Sequence, residues 1–391
     1  MTEHTIEITA LAHGGDGIGR ANGQVCFVRQ ALPGDVVRVR VTRTAAQALW
    51  AEIAEVLTPS PHRTEPVCPN FAVSGEASWA HFAYPAQAEW KRRIVQETLA
   101  RIGGIEAELD WRENPELRTG YRTRAVLHGD GARFGFFAPG SHKVVDTESS
   151  ALCHPRLNAA LRQLRKLKLK GTVTVTVNPE GEETLVWTKF TQRRLKDRFP
   201  LANTPKDTGK RAAFFFDGVP IVNGAFSQSS LLLNRLLVDE VRRLAGSPSN
   251  LLDLYCGNGN LSLQYAGRIP VTGVDQNKAA IKAAGRAAKQ GQTEYRAGDE
   301  AMMRKLIAQD EWDTIVLDPP RAGAKALMET LAPTHARAIV YVSCEPATLA
   351  RDLGMLAGGG WRVARGTAID MFPHTPHIET AVRLERAEGT G

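Results

Sequence analysis

The chain has 391 residues, 43% hydrophobic and 23% charged, an ordinary globular composition that excludes a disordered chain. Its length predicts two or three domains, and no apolar run is long enough for a membrane helix. Lys and Arg total 49 against 42 Asp and Glu, and the net charge of +7 points weakly to an anionic partner such as nucleic acid.

The first residues, MTEHTIEITALAHGGDG, lack a basic segment followed by an apolar core. No signal peptide is expected, and the cytoplasm is the default compartment. Five cysteines, Cys26, Cys68, Cys153, Cys256 and Cys344, are scattered without a CxxC pair. That spacing predicts neither a disulfide framework nor a zinc ribbon, and no metal site is expected.

Residues 1–58 alternate apolar and polar positions over 5–11, 25–28, 36–41 and 51–57, with glycine turns at 14–17 and 33–35. About five short strands in that length predict an OB-type β-barrel, a common nucleic-acid platform. Thr58-Pro59-Ser60-Pro61-His62 reads as a linker. An amphipathic helix is predicted over 84–102, with Trp90 and Ile94 on its apolar side, ended by Gly103-Gly104. Residues 120–230 return to strand alternation, as in Thr172–Val177. Here Arg162, Arg165, Lys166, Lys168 and Lys170 cluster, followed by Lys189, Arg193, Arg194, Lys196 and Arg198. Such runs are commonly a solvated surface, but beside an OB-like barrel they also fit nucleic-acid contact.

From about 230 the pattern becomes alternating helix and strand. A helix over 231–244 precedes a buried strand at 251–255. The glycine loop Cys256–Asn260 and a helix follow it. A strand at 271–275, a helix over 277–290, and strands at 314–318 and 338–342 complete the series. This rhythm predicts an α/β, Rossmann-like, mostly parallel sheet. The domains are therefore drawn as 1–58, a β-rich basic central region 59–225, and 226–391.

Four motifs carry chemistry. DLYCGNGN, Asp253–Asn260, places a glycine turn directly after a strand, and Asp275 ends the next strand. The loop lacks GxGxxG spacing, which disfavours dinucleotides. An acid that can accept both ribose hydroxyls suits S-adenosylmethionine. Asp299, one βα turn later, is a candidate adenine contact. Asp318-Pro319-Pro320-Arg321 ends another strand. Its two prolines force a rigid turn, and its acid can accept an N–H from a planar base. Cys344 directly follows the strand at 338–342. A thiolate there can attack carbon 6 of uracil, making carbon 5 nucleophilic toward a sulfonium methyl, and leave again afterwards. The carbon 5 proton then needs a base. Glu379, at the start of the last strand, is a candidate, with His374 and His377 as rivals. Cys26 and Cys256 read as small buried hydrophobes.

NGAFSQSS (223–230), DLYCGNGN, LDPPRAGA, SCEPATLARDL and MFPHTPHIET together resemble the ordered motifs of the RNA uracil-5-methyltransferase family. The N-terminal strands resemble its RNA-binding TRAM domain. The resemblance implies Cys344 as nucleophile and Glu379 as base. It also implies Gln228, Tyr255, Asn260, Asp275 and Asp318 around the methyl donor and a flipped uracil. The implied partner is structured RNA, ribosomal RNA before transfer RNA, acted on by a monomer. A non-catalytic RNA-binding protein on the same fold and a cytosine-5 methyltransferase are the other readings. The motifs around Cys344 and Glu379 match the uracil enzymes better, and a binder has no need of a nucleophile with a base. Many TRAM-bearing relatives hold an iron–sulfur cluster with C-x5-C-x2-C and a distant fourth cysteine. Here Cys68 is followed by Ser74 and Ala77, and only Cys153 matches the distant ligand. Two thiolates do not supply the four such a cluster needs, so none is expected.

Overall fold

A computed structural model describes residues 3–68, 70–190, 192–207, 211–288 and 291–387. The N-terminal strands are β1 (Glu3–Leu11), β2 (Gly17–Ala21), β3 (Gln24–Arg29), β4 (Val36–Thr44) and β5 (Ala48–Thr58). They close a barrel in the order β1-β2-β3-β5-β4. Alternation sends Ile6, Ile8, Val28, Val37 and Val39 inward with Cys26, which is a core residue as expected. The stretch after β5 is not a free linker. Buried Asp35 accepts hydrogen bonds from the Ser60 amide (2.8 Å) and the Leu32 amide (2.6 Å), and from Arg63 through Nε and Nη2 (both 2.7 Å). Against the upward push of burial, these partners hold the Asp35 carboxyl below its usual range.

The amphipathic segment forms α1 (Tyr84–Thr98), extended by a π-helical turn, Leu99–Gly103, and closed by Gly104 at φ +64°. Its buried face includes Gln87, Trp90, Lys91 and Ile94. β6 (Asp110–Arg112) follows. The central region is a six-stranded sheet in the order β12-β11-β10-β7-β8-β9. It contains β7 (Arg124–Asp130), β8 (Phe134–Phe137), β9 (Val144–Asp146), β10 (Lys170–Val177), β11 (Thr184–Thr188) and β12 (Ala202–Asn203). Two helices interrupt the strands, α2 (Pro155–Arg165) and α3 (Arg193–Arg198). The basic residues at 162–170 and 189–198 lie on these helices and their flanks, and all are exposed. A hairpin, β13 (Ala213–Phe216) and β14 (Val219–Val222), leads into the last region.

That region is an eight-stranded sheet ordered β17-β16-β15-β18-β19-β21-β20-β6. Its strands are β15 (Leu251–Leu254), β16 (Val271–Asp275), β17 (Thr293–Ala297), β18 (Thr314–Leu317), β19 (Ala338–Ser343), β20 (Trp361–Ile369) and β21 (Glu379–Arg386). The helices are α4 (Leu231–Ala245), α5 (Lys278–Ala287), α6 (Glu300–Ile307), α7 (Lys325–Leu331) and α8 (Pro346–Gly358). β15 to β19 run parallel, and β21 inserts antiparallel between β19 and β20. This is the expected mostly parallel α/β sheet. The glycine loop after β15 departs from the expected pattern. Only a 3-10 turn, Leu263–Tyr265, follows it instead of a helix, because Gly259 and Ser262 already fold back onto Tyr295. The expected helix over 277–290 is α5, and residues 289–290 lie outside the described residues.

α1 fixes the loop between β20 and β21. Lys91, fully buried, donates to Asp370 Oδ1 (2.8 Å) and to the Phe372 carbonyl (3.0 Å). The Tyr84 hydroxyl donates to Asp370 Oδ2 (2.7 Å). Gln87 Oε1 accepts from the His374 amide at 2.9 Å. Removing one member of a buried ion pair leaves a desolvated charge without its partner. K91M is therefore expected to destabilise the protein by about 3–5 kcal/mol in urea unfolding, whereas K91M/D370L recovers much of that loss.

Candidate active site

β-Strand register brings the two reactive residues to one edge. Ser343 ends β19 opposite Thr380 near the start of β21, so Cys344 and Glu379 sit at adjoining strand ends. β18 lies parallel beside β19, and Asp318 follows it at the same edge. Tyr255 and Asp275 stand at the corresponding ends of β15 and β16. Open α/β sheets place ligands at this edge. A cleft of about 760 Å³ lies there, lined by Gln228, Tyr255, Asp275, Asp318, Cys344 and Glu379 together with Arg124, Phe226, Asn277, Arg321, Phe372 and His377.

Two expected contacts sit elsewhere. Asn260 exchanges amide hydrogen bonds with Asn234 of α4 (2.7 and 2.9 Å) and lines a small adjoining cavity of about 40 Å³. Asp299 caps α6, accepting from the Ala301 and Met302 amides (3.1 and 3.2 Å), and does not line the cleft. Its short side chain is drawn to the free amides of the helix start. Of the rival bases, His374 turns inward to Gln87 at 3.1 Å, and His377 lines the cleft. Burial and the neighbouring cations lower both imidazoles to about 4, so each is neutral at pH 7.

The donor side fits S-adenosylmethionine. Asp275 accepts from the Gly257 amide (3.0 Å) and the Asn277 amide (2.7 Å), one on each oxygen. Each oxygen keeps a second lone pair for a ribose hydroxyl. Tyr255 takes φ +60°, a costly conformation for a non-glycine residue, and its hydroxyl donates to Glu300 at 2.9 Å. Gly259, at φ +79°, admits no side chain, because a Cβ would lie 2.8 Å from Leu263 and 2.9 Å from the Tyr295 hydroxyl. Gly257, at φ +55° with open space where a Cβ would stand, is the loop glycine that lines the cleft.

Carboxyls crowd the other side. Burial raises Asp318 to about 7. Burial and then the Asp318 charge push Glu379 well above the usual carboxyl range, with Arg321 opposing. Asp253, fully buried beneath the loop, is likewise raised to about 7. Its neighbour Ser262 pairs instead with the Tyr295 hydroxyl at 2.9 Å, and neither Asp253 oxygen has a hydrogen-bond partner. Burial and the Glu379 charge raise the Cys344 thiol to about 11, while the Arg321 guanidinium pulls it down.

Arg321 was not singled out from sequence, although it stands inside the DPPR motif. Its relation to Cys344 needs the fold. Phe226, inside the NGAFSQSS motif but given no role from sequence, is 66% exposed at the cleft, with the Arg124 guanidinium 5.6 Å from its ring centre. Cys68 and Cys153 are buried, and each thiol is raised by burial, to about 11 and about 12. Glu76, Arg122 and Ser150 surround them. Two thiols among these groups do not make a donor set for an iron–sulfur cluster.

The chain is similar to known proteins along nearly its whole length. The model for tRNA (Uracil-5-)-methyltransferase matches residues 299–387, and that for the TRAM domain matches 2–54. The 23S rRNA (uracil(1939)-C(5))-methyltransferase of Chromohalobacter salexigens is 32% identical over 430 residues, covering 98% of this chain and 90% of its own. That of Methylococcus capsulatus is 31% identical, covering 97% and 96%. The Pyrococcus abyssi tRNA (uracil-54, C5)-methyltransferase, solved with S-adenosyl-L-homocysteine, shares the fold with a TM-score of 0.77 at 24% identity, covering 97% of this chain and 99% of that one.

Two outcomes test the site. The thiolate is the reactive form and the Cys344 pKa lies above neutrality, so alkylation of Cys344 should rise about tenfold per pH unit between roughly pH 7 and 9. R321Q should slow it by roughly tenfold at each pH by removing the nearby positive charge. Protein purified without oxygen should carry no stoichiometric iron or sulfide, and finding both would overturn the reading of Cys68 and Cys153. With relatives matching across nearly its whole length, the chain belongs to the RNA uracil-5-methyltransferase family and is an S-adenosylmethionine-dependent RNA uracil-5-methyltransferase.

Proposed function

We propose that this enzyme methylates carbon 5 of one uridine in 23S rRNA, with Cys344 as nucleophile and Glu379 as base. The observation that carries the reading is that a thiol and a carboxyl at adjoining strand ends line one cleft with Asp318 and a ribose-competent Asp275. The names of the relatives at about 30% identity support ribosomal RNA. The transfer-RNA alternative has behind it the name of the family model that matches residues 299–387 and a likeness of fold.

The residues divide the work. Arg321 favours the thiolate of Cys344, whose proton goes to solvent. The thiolate adds to carbon 6, and the ring electrons move to carbon 5 and the carbon 4 oxygen. Asp318, protonated or ionised near neutrality, offers either a donor or an acceptor to the base edge. S-adenosylmethionine supplies the sulfonium methyl that carbon 5 accepts. Glu379, once its own proton has passed to solvent, takes the carbon 5 proton as a carboxylate. The electron pair left behind re-forms the 5,6 double bond and expels the Cys344 thiolate. Its raised proton affinity makes Glu379 a stronger base than an exposed carboxylate.

A uracil must leave its stack to enter the cleft, at a cost of a few kcal/mol. Phe226 at the rim presents a face on which a base can stack. The exposed cations of α2 and α3 supply attraction to phosphates. Ribosomal RNA as substrate fits the cytoplasm.

Trapping on a 23S rRNA fragment with 5-fluorouridine at the target tests the chemistry. Fluorine does not leave as a proton does, so a denaturation-stable adduct should accumulate after methyl transfer. C344A should form none. E379Q should accumulate an adduct on ordinary RNA, because the carbon 5 proton stays in place. An undiminished adduct with C344A removes Cys344 from this role.

A further inference from the structure

The turn between β1 and β2 leaves the barrel and reaches the active-site edge. The carbonyl of Gly15, at φ +94°, accepts from Trp79 Nε1 at 3.1 Å. A Cβ at Gly15 would lie 2.9 Å from Pro376, in the loop before Glu379. The Trp79 amide donates to the His374 carbonyl of the same loop at 3.0 Å. On this turn, His13 Nε2 lies 3.0 Å from Glu345 Oε1. Glu345 immediately follows Cys344 and is the N-cap residue of α8.

Three features set this contact apart from ordinary packing. Glu345 makes no side-chain cap to its own helix, and among the described residues His13 is its one ion-pair partner. Its backbone is held separately: its amide donates to Ser343 Oγ (3.1 Å), and its carbonyl accepts from Thr348 Oγ1 (3.2 Å). The His13 Nδ1 atom is buried without a partner, an unfavourable arrangement from which the barrel itself gains nothing. The turn is already seated through Gly15, so the His13 ring is not needed to dock it.

We propose that His13 is a positioning residue for methyl transfer. Through Glu345, the barrel holds the peptide that carries the nucleophile. The barrel thereby takes part in the chemical step as well as in holding RNA. The inference rests on the reading of Cys344 as nucleophile.

The test uses the full-length enzyme and the 5-fluorouridine 23S rRNA fragment. H13A should slow single-turnover adduct formation at saturating RNA by roughly two- to fivefold, the range a partly exposed polar side-chain contact supports. RNA affinity should stay unchanged. Amide exchange of a peptide covering 343–349, measured without RNA, should rise by a similar factor while barrel peptides stay as in wild type. E345A should match H13A, and the double variant should lose no more than either single variant. H13Q, which keeps an N–H donor toward Glu345, should restore most of the rate. It also stands in for H13A if that variant fails to fold. Unchanged rate and exchange in H13A would overturn the proposal. So would additive losses, or an effect confined to RNA affinity, which would make His13 an RNA contact. The exchange measurement needs no substrate, so it separates failure of this proposal from failure of the role given to Cys344, which C344A tests alone.

Discussion

Antiparallel insertion of β21 between β19 and β20 is the constraint on which the site depends. In an all-parallel sheet, the start of a strand lies at the opposite edge from the end of its neighbour. Reversing β21 places its first residue, Glu379, beside the end of β19, where Cys344 leaves the sheet. Adjacent strands lie about 4.8 Å apart, so the pairing itself brings nucleophile and base together. The parallel strands β15, β16 and β18 deliver Tyr255, Asp275 and Asp318 to the same edge.

Crowding acids at a dry edge has an electrostatic consequence. Asp253, Asp318 and Glu379 are withdrawn from water, and the negative charge of Asp318 makes ionisation of Asp253 and Glu379 harder. The carboxyls therefore hold protons at pH values where exposed carboxylates do not. A proton-rich edge also burdens the thiol less than one with every acid ionised. Arg321, supplied by the rigid turn after two prolines, is the opposing positive charge. The chemistry of Cys344 is set by this balance, not by the cysteine alone.

The loop between β20 and β21 takes much of its support from outside its own sheet. Lys91, Tyr84 and Gln87 on α1 provide it through Asp370, Phe372 and His374. Trp79 extends the network to the barrel turn. Segments far apart in sequence thus converge on the few residues before Glu379. Buried polar networks of this kind fix one geometry because every unmade bond is costly.

Much of this was legible in the chain. Alternation gave the barrel strands, the βα rhythm gave the sheet, and Asp275, Asp318 and Cys344 could be placed at strand ends from local pattern alone. These are short-range features, in which each strand or turn is specified by its own residues. The 3-10 turn after the glycine loop was not legible, because packing against Tyr295 decides it. Asp299 illustrates the reverse limit: its position fits a ligand contact, but its carboxylate caps α6. Sequence by itself determined the elements, the reactive residue types and their order along the chain. Tertiary structure alone decided which charges meet, that Arg321 faces the thiol and His374 does not face the cleft, and that a barrel turn touches Glu345. Coulombic and hydrogen-bond terms depend on distance in space, and only folding sets the distance between residues as far apart in the chain as His13 and Glu345.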